Sequence, residues 1–358
     1  MVKLFDVVDE DDFYSAVDNG LVTLRKHPEL PLTIAGYTPL CQYSRAWNDT
    51  TRACRGLIYD HETMEVVARP FEKFFNWNEP GAPEPPKSDA IRMPKADGSL
   101  GIVFYYDGSW HVSTRGSFVS EQAIWAQRWL DEFVPTVHPQ LLNPYVTYCT
   151  EIVFPQNRIV LDYRGLETLI LLDVISPNTG RSMRGEFTVA PFEHKVERVS
   201  APFNPDDILN IGDGEGEGYV YLWPHDNVRL KSKTQWYVDT HRVVTNLTER
   251  SVWEMMVAGR SLDEMKESIP EEFYGFVEKT HAEISEKVGT TVAEVGEVYN
   301  EIMEALPTGH NRGDFARLAS KSPRSKYLFL MLDDKDDKVI DLALKDAKPP
   351  ATKEIEVE

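Results

Sequence analysis

Cysteine is scarce in this 358-residue chain, which carries only Cys41, Cys54 and Cys149. So few thiols, so widely spaced, exclude a disulfide framework or a cysteine-built zinc cluster. A reducing cytoplasm is the expected compartment. Long apolar runs are lacking too, and none approaches the ~20 residues that span a bilayer. Residues Met1 to Phe13 hold four Asp and one Glu against one Lys. That is the reverse of a secretory or mitochondrial leader, so no targeting segment is expected. Basic charge is also short: the formal net charge is −20, with −9 from residues 246–358 and −11 from the rest. Broad neutralisation of a phosphate backbone is therefore not expected from either part. A small cationic site in an acidic shell is still compatible with this balance, because salt screens exposed charges over ~8 Å.

What is present is enough apolar material for one or two buried cores, with 42% hydrophobic residues and 8 Trp. The first two thirds read as strand-rich. Two aromatic and β-branched runs, Gly101 to Tyr106 and Trp110 to Thr114, flank Asp107-Gly108-Ser109 in a hairpin pattern. Val146–Val153, Thr168–Ile175 and Gly218–Trp223 are further strand candidates, and Ser117–Phe133 has helical spacing. Pro80, Pro83, Pro85 and Pro86 mark a loop. After about Val238 the texture turns helical, with segments Arg242–Val257, Leu262–Lys279, Ala282–Ala305 and Asp314–Ser320 broken at Gly259, Pro270 and Pro307. The expected architecture is α+β, with antiparallel sheets and helices over residues 1–240. A smaller all-helical domain over 241–348 and a polar tail over 349–358 follow. No internal repeat is visible.

The sharpest local signal is Lys95-Ala96-Asp97-Gly98-Ser99-Leu100, just ahead of the hairpin. Alone it reads equally well as a solvated lysine beside a common turn. A nucleophilic amine needs a rigid setting and a proton affinity below its reference pKa of ~10.4, which neighbouring cations and a metal ion supply. Candidates for that setting follow downstream. Glu151 ends a strand pattern, Glu217 precedes another, and Lys231 and Lys233 share one strand face by alternation. A solvated strand face is the plainer reading of the lysine pair, and an acidic turn residue that of Glu217. Asp333-Asp334-Lys335-Asp336-Asp337 lacks the glycine and terminal Glu of a calcium loop and reads as a solvated turn.

Taken in order, these segments resemble the motifs of the covalent nucleotidyltransferases, and specifically the phage RNA ligase 1 class that repairs broken tRNA. Lys95-Ala96-Asp97-Gly98 is similar to the nucleophile motif, and Ser113 to Ser117 to the next one. Glu151 and Leu171-Leu172-Asp173-Val174 are similar to the middle motifs, Glu217 to Val220 to the fourth, and Lys231-Ser232-Lys233 to the last. Cys54 to Tyr59, Arg69 to Asn76 and Pro155 to Val160 also resemble segments of that class. The likeness runs over roughly residues 36–240. Arg115 departs from the class pattern, which has Lys there; its guanidinium keeps the charge but changes the donor geometry.

The resemblance implies an ATP-dependent RNA ligase joining 5′-phosphate and 3′-hydroxyl ends through a lysyl-AMP on Lys95 and an adenylylated RNA. It implies Lys231 and Lys233 on the α-phosphate, and Arg55, Lys73 and Arg115 on the outgoing or RNA phosphates. Glu151 would accept from a ribose hydroxyl and Phe75 would pack near the nucleotide. Glu217 would hold Mg²⁺, or Mn²⁺ in its place. Tyr237 and the pair Asp263-Glu264 fall where the class has a functional Tyr and an Asp pair. These two acids are expected metal ligands, although acids near a helix start are favourable in any case. The implied partners are single-stranded RNA ends or tRNA anticodon-loop breaks. The helical region would recognise tRNA, and a phage-encoded chain would act in host cytoplasm. Trp253, Met255, Met256, Leu262, Met265 and Phe273 read as helical core. A DNA ligase or capping enzyme would share the Lys95 chemistry but usually appends a β-barrel. A non-catalytic RNA-end-binding protein of the same fold is the other alternative.

Overall fold

The computed structural model describes residues 2–183, 192–267, 269 and 273–349. Its contacts divide the chain into two compact units, Met1–Val244 and Thr245–Glu358. Pro270 and the polar end from residue 350 lie outside the described residues.

The first unit is built on antiparallel sheets. One sheet orders β1 (Val22–Lys26), β2 (Leu32–Tyr37), β3 (Arg55–Asp60) and β4 (Val66–Ala68) side by side. The next strands in the chain, β5 (Phe75–Asn76) and β6 (Ala90–Pro94), join the last sheet. A second sheet holds β7 (Ser99–Tyr106), β8 (Ser109–Thr114), β9 (Thr147–Val153) and β10 (Thr168–Ile175), in the order β10-β9-β7-β8. The last contains β11 (Val199–Ala201), β12 (Gly218–Trp223) and β13 (Val228–Lys233), in the order β11-β6-β12-β13-β5. Only its β13–β5 pairing is parallel. The hairpin expected at Asp107-Gly108 joins β7 to β8. Both turn residues have positive φ, 46° and 80°, the signature of a turn whose twist matches the flanking strands.

The helices of this unit are α1 (Glu10–Asp18), α2 (Pro39–Tyr43), α3 (Asp49–Ala53), α4 (Glu121–Phe133) and α5 (Gln235–Val244). α4 starts at Glu121 rather than Ser117. Ser117 is used in a turn that binds Thr114 and Val119, and the Ser120 hydroxyl caps Ala123 N–H. Its buried face, Ala126 and Leu130, packs on Val103, Val112 and Tyr148 of the second sheet. Ile34, Ile58, Ile102 and Phe104 form one cluster between the first two sheets. Tyr221, Trp223 and Leu230 form a separate core on the last sheet. Full burial of each such side chain contributes about 1.5–3 kcal/mol.

The second unit is helical: α6 (Glu249–Val257), α7 (Leu262–Glu267), α8 (Tyr274–Ala305), α9 (Arg312–Ala319), α10 (Ser325–Leu332) and α11 (Asp336–Asp346). Two expected segments are revised. Arg242–Val257 is split, because Asn246 takes φ 52° and Thr248 caps a new helix. The expected boundary between Lys279 and Ala282 is absent, and α8 runs through it. Val295, Phe315, Tyr327, Leu328 and Val339 make the core. Met265 and Phe273 are buried, whereas Trp253, Met255, Met256 and Leu262 are half-buried. Asp336 and Asp337 fill the first turn of α11, while Asp333 pairs with Arg312. Among the described residues no helix is long and apolar enough to cross a membrane.

Candidate active site

Backbone register brings Lys95 to its neighbours. β6 ends at Pro94 opposite Tyr219 of β12, and Lys95 N–H extends that ladder by donating to Gly218 O at 2.9 Å. Gly218 in turn pairs with Lys233 across β12–β13. The pairing needs glycine, since φ is +150° and a Cβ would lie 2.0 Å from Ser232 O. Three chain segments thereby meet at one carboxylate. Lys95 Nζ donates to Glu217 Oε2 at 2.8 Å, and Lys233 Nζ lies 3.1 Å from Glu217 Oε1. Glu217 is 1% exposed, so its charge is compensated by these two ammoniums and not by water.

The loop after Lys95 is fixed by Asp97, which the sequence reading placed inside the motif without giving it a role. Its Oδ2 accepts from Val160 N at 2.9 Å and Leu161 N at 2.7 Å. The Tyr237 hydroxyl donates to Oδ1 at 2.7 Å, and Asp97 N–H donates to Tyr163 Oη at 2.8 Å. Tyr237 is buried on α5, with the Lys233 ammonium 5.2 Å from its ring centre. Gly98 follows because a Cβ there would lie 2.6 Å from Ile152 O. Close by, Glu151 is buried on β9. Burial pushes its carboxyl up to about 8, against the opposing pull of Lys95, and Glu217 raises it further.

Arg55, Lys73, Phe75 and Arg115 come together around aromatic rings. The Arg55 guanidinium lies 4.8 Å from the Phe71 ring and 5.6 Å from Phe74, and its buried Nη1 has no hydrogen-bond partner among the described residues. Burial lowers its proton affinity, with Tyr37 opposing and the Arg115 charge adding to the effect. The Lys73 ammonium sits 5.2 Å from the Trp47 ring and 5.3 Å from Phe75. Arg115 covers Tyr37 at 4.5 Å, and Trp47 meets Tyr37 and Phe75 edge to face. Lys231 shares the Lys233 face of β13 and lies 5.8 Å from the Phe74 ring. Trp47 and Tyr37 carried no motif signal of their own. Their cation-facing role appears only in three dimensions.

A buried pairing supports this arrangement from behind. Asp173 on β10 binds Arg229 of β13, and it accepts from Ser182 Oγ at 2.6 Å. Arg229 also lies 4.9 Å from the Phe71 ring that Arg55 covers. Asp263 and Glu264 lie in the first turn of α7 in the helical unit. There Glu264 closes a capping box, accepting from Ser261 N at 2.8 Å while its own N–H donates to Ser261 Oγ at 3.2 Å. Among the described residues, no group of three or more His, Cys, Asp or Glu is arranged to hold a metal ion. A cation bound at Glu217 would therefore draw most of its ligands from water and phosphate, a set that suits Mg²⁺.

Residues 53–215 match the family profile described as RNA ligase. An RNA ligase of Rhodothermus phage RM378 is 23% identical over 381 aligned residues, covering 84% of each chain. A chain of Autographa californica nuclear polyhedrosis virus named for polynucleotide kinase and RNA ligase is 27% identical over 282 residues. That match takes in 60% of this chain and spans 40% of the viral one. A solved archaeal ATP-dependent RNA ligase aligns over 80% of both chains with 15% identity and a TM-score of 0.48. Over residues 53–215, then, the chain is similar to proteins described as RNA ligases.

Proposed function

We propose, taking the RNA ligase match over residues 53–215 as the premise, that this protein is an ATP-dependent RNA ligase working through a covalent lysyl-AMP on Lys95. The observation that carries the reading is the meeting of Lys95, Glu217 and Lys233 at one buried carboxylate. Lys95 Nζ attacks the α-phosphorus of ATP, and the bond to pyrophosphate breaks. AMP then passes to an RNA 5′-phosphate. Attack by a 3′-hydroxyl on that activated phosphate forms the phosphodiester and releases AMP.

Each step moves negative charge among phosphate oxygens, so fixed cations act mainly by position and field. Lys231 and Lys233, on one strand face, stand for the α-phosphate. Arg55, whose buried Nη1 has no partner among the described residues, has a donor to offer a further phosphate, with Lys73 and Arg115 nearby around the same aromatic rings. Lys95 must exchange its bond to Glu217 for one to phosphorus. Glu217 is the carboxylate that would hold a divalent cation, Mg²⁺ in this reading. When bound, such an ion supplies charge neutralisation at phosphate and lowers the proton affinity of a nearby amine. Glu151, held protonated by burial, is a hydrogen-bond donor or acceptor for a ribose hydroxyl. We assign Glu264 no more than the capping role described, and Asp263 no more than its place in the first turn of α7.

The proposed substrates are single-stranded RNA ends, including broken tRNA loops, in a reducing cytoplasm that suits three buried free thiols. Incubation with α-labelled ATP and Mg²⁺ should label the protein, and Lys95→Ala should abolish the label. Label from GTP alone would move the assignment to a capping enzyme. Label with ATP but joining confined to nicked duplex DNA would move it to a DNA ligase.

A further inference from the structure

Beside Asp97 lies a cavity of about 150 Å³, bounded by the segment that follows β9. Phe154, Arg158, Leu161, Tyr163 and Leu166 are among its lining residues. Its volume is about half of the smallest drug-sized pockets, roughly 300 Å³, so it has room for one base or sugar and not for a nucleoside triphosphate. The walls are fixed. Phe154 stacks on Trp125 with ring centres 4.5 Å apart and planes 14° apart. The Asp97 carboxylate is spent on Val160, Leu161 and Tyr237.

Two groups are left to meet a ligand. The Tyr163 oxygen accepts from Asp97 N–H, but its own O–H has no acceptor among the described residues. Burial raises its pKa, so the phenol keeps that proton. Arg158 donates from Nε to Val160 O at 3.2 Å and stands 3.6 Å from Asp162, with 55% of its side chain exposed. One hydroxyl donor, an aromatic wall and a single cation do not suit a terminal phosphate dianion. They suit a nucleoside that ends in a neutral hydroxyl and carries one phosphodiester behind it.

We infer that this cavity receives the 3′-terminal nucleoside of the acceptor RNA strand, with Tyr163 donating to its base or sugar and Arg158 meeting the adjoining phosphodiester. The inference rests on the ligase reading above. It places the acceptor end two residues along the chain from Lys95. The strand face of Lys231 and Lys233 is left to the phosphates of ATP and the donor.

The test uses the full chain in two assays. One measures KM for ATP in formation of the labelled protein. The other measures KM for a single-stranded acceptor RNA joined to a donor already adenylylated at its 5′ end. Tyr163→Phe and Arg158→Ala should each raise the acceptor KM by about tenfold, the effect of one lost hydrogen bond to a charged or polar partner. In Arg158→Ala the KM for ATP should not follow; Tyr163→Phe also removes the acceptor of Asp97 N–H beside Lys95 and is read on the acceptor alone. In Arg158→Ala the slope of log acceptor affinity against log salt should fall by about 0.7, one phosphate contact on a single strand. An unchanged acceptor KM in both variants overturns the inference. So does a KM for ATP that rises in step with that for acceptor in Arg158→Ala, which would assign the cavity to the nucleotide. Failure of the parent chain to take label refutes the ligase reading itself, whereas label with a silent Arg158→Ala and Tyr163→Phe refutes the subsite alone.

Discussion

Replacing Glu217 by Gln tests the centre of the site with almost no change of shape. The carboxylate accepts from Lys95 at 2.8 Å and faces Lys233 at 3.1 Å, and the three side chains are 2%, 22% and 11% exposed. An amide offers one carbonyl oxygen in place of two charged oxygens. Its NH₂ group then points a donor at one of the ammoniums, and two cations remain without a counter-charge. Removing one member of a buried ion pair costs about 3–5 kcal/mol, and the partial exposure of Lys95 places the expected loss near the lower end. Deleting either lysine should cost less, because the carboxylate keeps the other. Lys95→Met combined with Glu217→Gln should therefore be more stable than the sum of the single losses, by about 1–3 kcal/mol. Urea denaturation of the four proteins at low salt measures each term. If Glu217→Gln matches the parent to within about 0.5 kcal/mol, the paired carboxylate is not what organises this centre.

Gly218→Ala should lower stability by about 2 kcal/mol or more, since its Cβ would lie 2.0 Å from Ser232 O at a φ of +150°. At about 2–4 °C per kcal/mol, a thermal melt reads this directly; an unchanged Tm would refute the close approach. Glu151 predicts a pH effect of definite sign. Its folded pKa is raised to about 8, so the fold holds a proton that the unfolded chain releases above the usual carboxyl range. Stability should fall as pH rises from about 4.5 to 8, at no more than about 1.4 kcal/mol per pH unit from this group. Glu151→Gln should flatten that part of the profile, and parallel profiles for the two proteins would contradict the assignment.

How much was legible depended on how local the determining interaction is. Asp107-Gly108 specifies its turn by backbone chemistry alone, and the strands on either side follow. The Thr168–Ile175 and Gly218–Trp223 strands were bounded correctly by their apolar runs. The first sheet escaped because β2 is buried at every position, and β3 at nearly every one, so neither shows alternation. Asn246, a residue type that tolerates the left-handed region, splits an expected helix there, a signal the helical spacing around it outweighed. In the site, spacing alone could align Lys231 with Lys233. It could not show that Lys233 faces Glu217 while Lys231 lies over Phe74. Asp97 was in plain view within the motif, but its partners at Val160 and Tyr237 are 63 and 140 residues away.

Those separations bear on how the protein is made. The hydrogen bond from Tyr237 to Asp97 spans 140 residues, and that from Lys95 to Glu217 spans 122. A nascent chain emerges from the ribosome at roughly 5–20 residues per second. The Lys95 segment is thus exposed for several seconds or more before its carboxylate partner and the helix that clamps it exist. Throughout that interval β6 lacks β12, and for most of it β11 as well, and Lys95 is an ordinary solvated lysine. The closing segment is among the last parts of the first unit to be synthesised, so a truncated product ending before Glu217 carries the Lys95-Ala96-Asp97-Gly98 segment without the partners that organise it. Only a chain complete through α5 can form the Lys95–Glu217–Lys233 cluster and the Tyr237–Asp97 bond together.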